Sequence, residues 1–217
     1  MIYTFFRMLG MILGYPIQLI FFKRKTYYEG KTSAARRGGK LIVSNHFNLL
    51  DYVMTCFMVF PRKLNAVASE DPFANPFFRV GMRFFTAPIQ ANRVTRSMRF
   101  IDSAAEVIKK GELLQIFPEG RNTPDGEIHE FKMSYLVIAY RAGCPILPIV
   151  TDGQYGLFKR VRVMVGEEID VSRFFSEGHR TPPREELERA NAYVHGKVLE
   201  LRREIDQRKN QERKRKQ

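Results

Sequence analysis

Cysteine is scarce in this chain of 217 residues, and that scarcity narrows its chemistry first. Cys56 lies in an apolar helical stretch and Cys144 precedes Pro145; the two form neither a metal-ligand spacing nor a disulfide framework. Both are expected to stay reduced, as at a cytosolic face. The pattern Gly-x-Ser-x-Gly is missing, which removes the serine nucleophile that sits on a strand-to-helix elbow. No internal repeat, long linker or recognised nucleic-acid motif is present. No uncharged apolar run reaches the roughly twenty residues that span hydrocarbon. What is there, with 44% hydrophobic residues, can bury a substantial core in one domain.

Acidic residues are also in deficit. Against 23 of them stand 36 lysines and arginines, a net charge of +13. The stretch Leu201 to Gln217 holds eight basic and three acidic residues, so it supplies +5 and the body keeps +8. Such a surface favours polyanions, either phospholipid headgroups or nucleic acid. The N-terminus favours the lipid. Met1 to Phe22 is almost wholly apolar, interrupted by Arg7, Pro16 and Gln18, and ends in Lys23-Arg24-Lys25. Its uncharged part, Met8 to Phe22, is fifteen residues long, and Pro16 is a helix breaker. We therefore expect two short helices in or dipping into one leaflet, with the basic cluster at the headgroups. A single spanning helix and a core-packing helical hairpin are the competing readings. A signal peptide would carry its basic residues before the apolar core and a small-residue cleavage site after it. The organisation expected is a membrane-associating helical segment over 1–25, an α/β domain over 26–200 and a basic helical tail over 201–217, in which Arg202 to Lys216 is read as a solvated, fraying helix end, with membrane attraction as the second reading.

Between these ends, short apolar runs alternate with helical patterns. Strands are predicted at Leu41 to Ser44, Asn65 to Ser69, Ala87 to Gln90, Leu113 to Phe117, Ile146 to Val150 and Val161 to Val165. Helices are predicted at Asp51 to Phe60, Pro76 to Phe85, Ser97 to Lys110 and Met133 to Ala142, with a charged surface helix over Pro183 to Arg208. Arg160 and Arg162 alternate with Val161, Val163 and Val165, which predicts one wet face for that strand. The fold class is α/β, a mixed, mostly parallel sheet flanked by helices.

Reactive side chains gather where two of these strands end. Ser44-Asn45-His46-Phe47-Asn48-Leu49-Leu50-Asp51 follows the first apolar run, and Phe117-Pro118-Glu119-Gly120 follows another about seventy residues later. Open α/β sheets bind ligands at such carboxyl ends. Residues five apart do not share a helix face. With His46 in the turn and Asp51 in the first helical turn, however, the carboxylate can fold back onto one imidazole nitrogen and leave the other free to take a proton. That is a general base oriented by an acid, and an intrinsic pKa of about 6.5 suits imidazole to the work. A lone histidine beside a strand is more often structural, and an acid in Asp51's place is commonly a helix cap. His129, His179 and His195 carry no partner pattern and are read as structural or exposed.

These residues resemble the glycerolipid acyltransferases, which acylate glycerol 3-phosphate or lysophosphatidic acid. Asn45, His46 and Asp51 match the family's first motif, Asn-His, four residues, Asp. The third motif, Phe-Pro-Glu-Gly-Thr-Arg-Ser, is similar to Phe117-Pro118-Glu119-Gly120-Arg121-Asn122-Thr123, with the arginine one place early. The second resembles Ala87 to Arg93, with Asn92 in place of the usual aspartate; Pro145 to Val150 resembles the fourth, and Phe131-Lys132 a pair that follows the third. The resemblance runs from Lys40 to Asp170. It implies that His46, oriented by Asp51, deprotonates a glycerol hydroxyl that attacks an acyl thioester. It assigns Arg93, Arg121 and Lys132 to the phosphate, Glu119 to a substrate hydroxyl, and Gly120 to close backbone approach. The acyl donor, on coenzyme A or acyl-carrier protein, is a co-substrate, and neither metal nor bound cofactor is required. The partners expected are a membrane lipid surface and a lysophospholipid or glycerol 3-phosphate acceptor, with no nucleic acid. The location expected is the cytoplasmic face of the plasma (inner) membrane. A non-catalytic membrane-binding protein whose motif residues only support turns is the competing class.

Overall fold

The six strands that the apolar runs predict, with a seventh that they do not, form one sheet. A computed structural model describes residues 2–21, 23–30, 37–48, 50–69, 87–91 and 99–215. In chain order these form α1 (Ile2–Phe21), β1 (Arg24–Tyr28), β2 (Lys40–Val43), α2 (Leu50–Val59), β3 (Leu64–Ser69), β4 (Ala87–Ala91), α3 (Arg99–Lys109), β5 (Leu113–Ile116), α4 (Ser134–Ala142), β6 (Ile146–Thr151), β7 (Val161–Val165), a single 3-10 turn (Ser172–Phe174) and α5 (Arg184–Lys214). The strand order is β1-β7-β6-β2-β5-β3-β4. Every pairing is parallel except that of β6 with β7. The predicted helix over Pro76 to Phe85 lies outside the described residues.

Strand alternation divides the core in two. Leu41 and Val43 of β2, Leu114 and Ile116 of β5, and Ile146 and Val150 of β6 pack with α3, α4 and α5. Ile42, Leu113, Leu147 and Ile149, one residue out of phase, pack with α1 and α2. Because side chains point alternately to opposite faces, each central strand feeds both cores and must be apolar along its length. The result is a three-layer α/β/α stack. Leu187, Ala190, Val194, Val198, Leu201 and Ile205 recur at three and four along α5 and form its buried stripe.

Four local expectations are corrected. Pro16 does not divide the N-terminal segment: α1 is one helix of 20 residues with Pro16 inside. Met11 and Gln18 are buried on its inner side, and Gly14 lies close against Phe57 of α2. Pro16 is on the exposed side. The basic cluster does not stay beside the helix, because Arg24 and Lys25 enter β1, and Lys25 Nζ donates to Glu212 of α5 at 2.5 Å. The tail is not a fraying end, since α5 runs unbroken to Lys214 and buries Leu201 and Ile205. Lastly, β7 has no wet face at Arg162. Its guanidinium donates to Glu212 at 2.7 Å beneath the same helix. A charge pattern alone does not show that α5 brings a counter-ion to cover it.

Candidate active site

Strand register brings the two motifs together. In the β2–β5 ladder Lys40 stands opposite Leu113 and Val43 opposite Ile116. Three residues beyond that last pair on each strand are His46 and Glu119, so the ladder's offset carries into the loops. The His46 N–H donates to Glu119 Oε1 at 3.0 Å. The His46 carbonyl accepts from both the Thr123 N–H, at 2.8 Å, and its hydroxyl, at 3.0 Å. On the other side of β2, the buried Asn45 amide substitutes for a peptide unit. Its Nδ2 donates to the Thr151 carbonyl at 3.0 Å and its Oδ1 accepts the Thr151 N–H at 2.9 Å. The backbone at His46 is thereby clamped from β5 and β6 together.

The imidazole is placed as tightly as its backbone. It stacks on Phe117, with centroids 4.1 Å apart and planes at 19°. His46 Nδ1 lies 3.5 Å from Asp51 Oδ2. That is ion-pair range and longer than a well-formed hydrogen bond, as is common for catalytic contacts before substrate binds. Nδ1 is buried and has no hydrogen-bond partner among the described residues. The ring is still 18% exposed, so solvent reaches it through its other atoms. One nitrogen thus faces the carboxylate, and what is exposed of the side chain lies on its other atoms.

Asp51, in the first turn of α2, does two jobs. Its Oδ2 accepts the N–H groups of Phe47, at 2.8 Å, and Asn48, at 2.7 Å, which folds the turn that carries His46. Its Oδ1 accepts the Tyr155 hydroxyl at 2.5 Å. Burial, followed by the adjoining Asp51 charge, pushes the Tyr155 phenol well above its ordinary value, so it remains a donor. The same Oδ2 that holds the turn is the oxygen 3.5 Å from His46 Nδ1, while Oδ1 is taken by Tyr155. Below it, Thr55 Oγ1 donates to the Asp51 carbonyl, and Gln115 Nε2 reaches Ser44 Oγ and Thr55 Oγ1.

The remaining residues named from sequence fall into three groups. Glu119 is buried and its carboxylate is met by protein donors: besides His46, the His129 N–H at 3.1 Å and Thr123 Oγ1 at 3.2 Å, both on Oε2. Its contacts are those of a strut between motifs. Gly120 adopts φ +69°, and what approaches it closely is the Lys132 chain, whose Nζ would stand 2.6 Å from an added Cβ. Lys132 and Arg121 are exposed cations on the loops around this turn. Arg93 and Asn92 lie outside the described residues. Sequence reasoning missed Tyr155 and Thr123. Thr123 was legible as the hydroxyl closing the seven-residue motif; Tyr155 stands in a loop with no pattern around it. Among the described residues no group of three or more His, Cys, Asp or Glu side chains could hold a metal ion.

The chain is similar to known proteins. The family model described as Acyltransferase matches residues 25–152, more than half of the chain. The chain belongs to the acyltransferase family. That stretch begins in β1 and ends just after β6, so it contains both clamps on His46. A 1-acyl-sn-glycerol-3-phosphate acyltransferase of Cocos nucifera is 28% identical over 192 residues, which are 87% of this chain and 57% of that protein. A putative enzyme of the same name from Caenorhabditis elegans is 30% identical over 116 residues, 52% of this chain and 40% of that one. The chain thus spans about half the length of these two relatives. One from Bacillus subtilis is 22% identical over 174 residues, covering 78% and 84% respectively. Among solved structures, the 1-acyl-sn-glycerophosphate (LPA) acyltransferase of Thermotoga maritima shares the fold, with a TM-score of 0.57 at 22% identity over 92% of this chain and 78% of the other.

Proposed function

We propose that this family member transfers a fatty acyl group from an acyl thioester, on coenzyme A or acyl-carrier protein, to the free hydroxyl of lysophosphatidic acid, yielding phosphatidic acid. The observation that carries the reading is the His46–Asp51 pair: a clamped imidazole with one buried nitrogen 3.5 Å from a carboxylate and the rest of the side chain partly exposed. His46 Nε2 takes the proton from the acceptor hydroxyl as its oxygen attacks the thioester carbonyl. The tetrahedral adduct then expels the thiolate, which recovers that proton from the imidazolium and leaves as free thiol. Asp51 keeps the imidazole in the correct tautomer and offsets its transient charge. Arg93, Arg121 and Lys132 are assigned to the phosphate, for which forked guanidinium donors and a compact ammonium are suited. The names of the curated relatives support the acceptor.

The reaction is assigned to the cytoplasmic face of the plasma membrane, with the protein held on the lipid surface. Supporting this is the outer side of α1, where Ile12, Leu13, Leu19 and Ile20 are more than half exposed. Among the described residues no helix is long and apolar enough to cross a membrane, so contact from one leaflet is the arrangement that α1 favours.

The test is to give purified protein in detergent lysophosphatidic acid and an acyl thioester and to follow free thiol. His46→Ala should lower kcat by about a hundredfold or more. Asp51→Asn can keep an oxygen on the Phe47 and Asn48 N–H groups, and so should retain the fold while losing most of the rate. Equal rates for wild type and His46→Ala would end the proposal.

A further inference from the structure

The carboxyl ends of β2, β5 and β6 carry the candidate site. Since β7 runs antiparallel to β6, and β1 parallel to β7, the chain enters both β7 and β1 at that same end. Arg24 stands opposite Val161, so Lys23 is level with Arg160. Immediately before β7 is a tight turn, closed by the Lys159 N–H donating to the Gly156 carbonyl at 3.1 Å. Its two central residues are Leu157, 47% exposed, and Phe158, 99% exposed. A phenyl ring that touches nothing in its own protein is costly to leave in water, and Phe158 is the most exposed of the large hydrophobic side chains described. Lys159, Arg160 and Lys23 beside it are all exposed. The same loop holds Tyr155, whose hydroxyl meets Asp51.

We propose that the Gly156–Lys159 turn is a docking tip for an anionic lipid bilayer. Leu157 and Phe158 enter the acyl-chain boundary, while Lys23, Lys159 and Arg160 meet headgroup phosphates. The charge decides the partner. An apolar pair ringed by three cations complements a surface that is negative at the headgroups and oily beneath them, whereas a second copy of this basic chain would set like charges against each other. The tip adds a contact distinct from α1, at the opposite end of the β1 and β7 strands from their exits. It places the bilayer against the loop that braces Asp51. Its purpose rests on the acyltransferase reading, but its existence is tested on lipids that are not substrates.

The chain contains no tryptophan, so Phe158→Trp introduces a single indole. With vesicles of phosphatidylglycerol and phosphatidylcholine its emission should move to shorter wavelength and be quenched by brominated acyl chains; pure phosphatidylcholine should do much less. Leu157→Ser with Phe158→Ser should weaken vesicle binding about tenfold. Lys159→Gln with Arg160→Gln should weaken it by about tenfold on anionic vesicles only. Thiol release on detergent-dispersed acceptor should stay within about twofold of wild type in the Ser variant, which shows that the site is intact. An indole unmoved and unquenched by vesicles that sediment the protein would overturn the proposal, as would wild-type binding by the Ser variant. So would a wild-type dimer that the Ser substitutions dissociate with no change in vesicle binding. Insertion of the Phe158→Trp indole, together with no thiol release by wild-type protein, would instead end the acyltransferase reading and leave the docking tip standing.

Discussion

At the scale of single residues, Glu119 and Tyr155 show what a motif conceals and what it omits. The resemblance places Glu119 on a substrate hydroxyl, whereas its oxygens accept the His46 and His129 N–H groups and the Thr123 hydroxyl. Glutamine keeps only one accepting oxygen and turns an amide N–H against a donor. Glu119→Gln should therefore cost about 2 kcal/mol, since a buried donor is left unmet. That is a fall in Tm of about 4–8 °C, measurable by thermal denaturation without substrate. An unchanged Tm would return Glu119 to a purely substrate-binding role. Tyr155→Phe removes the donor on Asp51 Oδ1 but leaves Oδ2 in the turn. The loss should appear as a fall in kcat of about tenfold with KM for both substrates nearly unchanged, because the bond is to a charged group that positions the base and touches neither ligand. A shift confined to KM would contradict that role. Nothing in the sequence around Tyr155 marks it, since its partner is 104 residues away and the two meet only when β6 is laid beside β2.

At the scale of elements, the end of α5 shows how a charge-rich helix becomes part of the fold. Glu212 receives Lys25 at 2.5 Å, the Tyr27 hydroxyl at 2.6 Å and Arg162 at 2.7 Å, tying the last turns of α5 to β1 and β7. Hydrogen bonds from Lys25, Tyr27 and Arg162, in that order, hold its carboxyl at about 2, below the usual 4.5. A depressed acid stabilises the folded state above its unfolded value, and that contribution is lost as pH falls through the folded one. Glu212→Gln should thus lower stability by about 1 kcal/mol at neutral pH, a partly exposed network counting for no more. Melting curves of wild type and variant should converge as pH drops from about 4.5 toward 2; a gap that stays constant would mean the carboxylate charge is irrelevant. From sequence α5 reads as a charged surface helix, although its apolar stripe keeps a three-and-four spacing. That the stripe runs on through Leu201 and Ile205, and that β1 exists at all, was hidden behind the density of charge, because ion pairs to a distant counter-ion leave no local pattern.

At the scale of the whole molecule, the proposed hold on a lipid surface joins a net charge of +13 to the apolar outer side of α1. Binding to anionic vesicles should weaken at least about tenfold between roughly 50 and 500 mM salt, as the Debye length shrinks below the distance over which the basic body is felt. Binding to neutral vesicles should hardly change, since it draws on apolar contact alone. Vesicle sedimentation at two salt concentrations measures both. Salt-independent binding to anionic vesicles would assign the attraction wholly to apolar burial.

The sequence alone determined the fold class, most strand positions and the pair of loops bearing His46 and Glu119, because burial on both sheet faces demands continuous apolar runs and each run ended in polar residues of distinctive spacing. Only the tertiary structure decided what those residues do to one another. The 73-residue offset of the β2–β5 ladder set Glu119 on the His46 backbone, and the single antiparallel pairing of β6 with β7 brought Tyr155 to Asp51 and Phe158 to the rim of the site. Strand order and register arise from how whole strands pack and pair. No local stretch of chain carries that information.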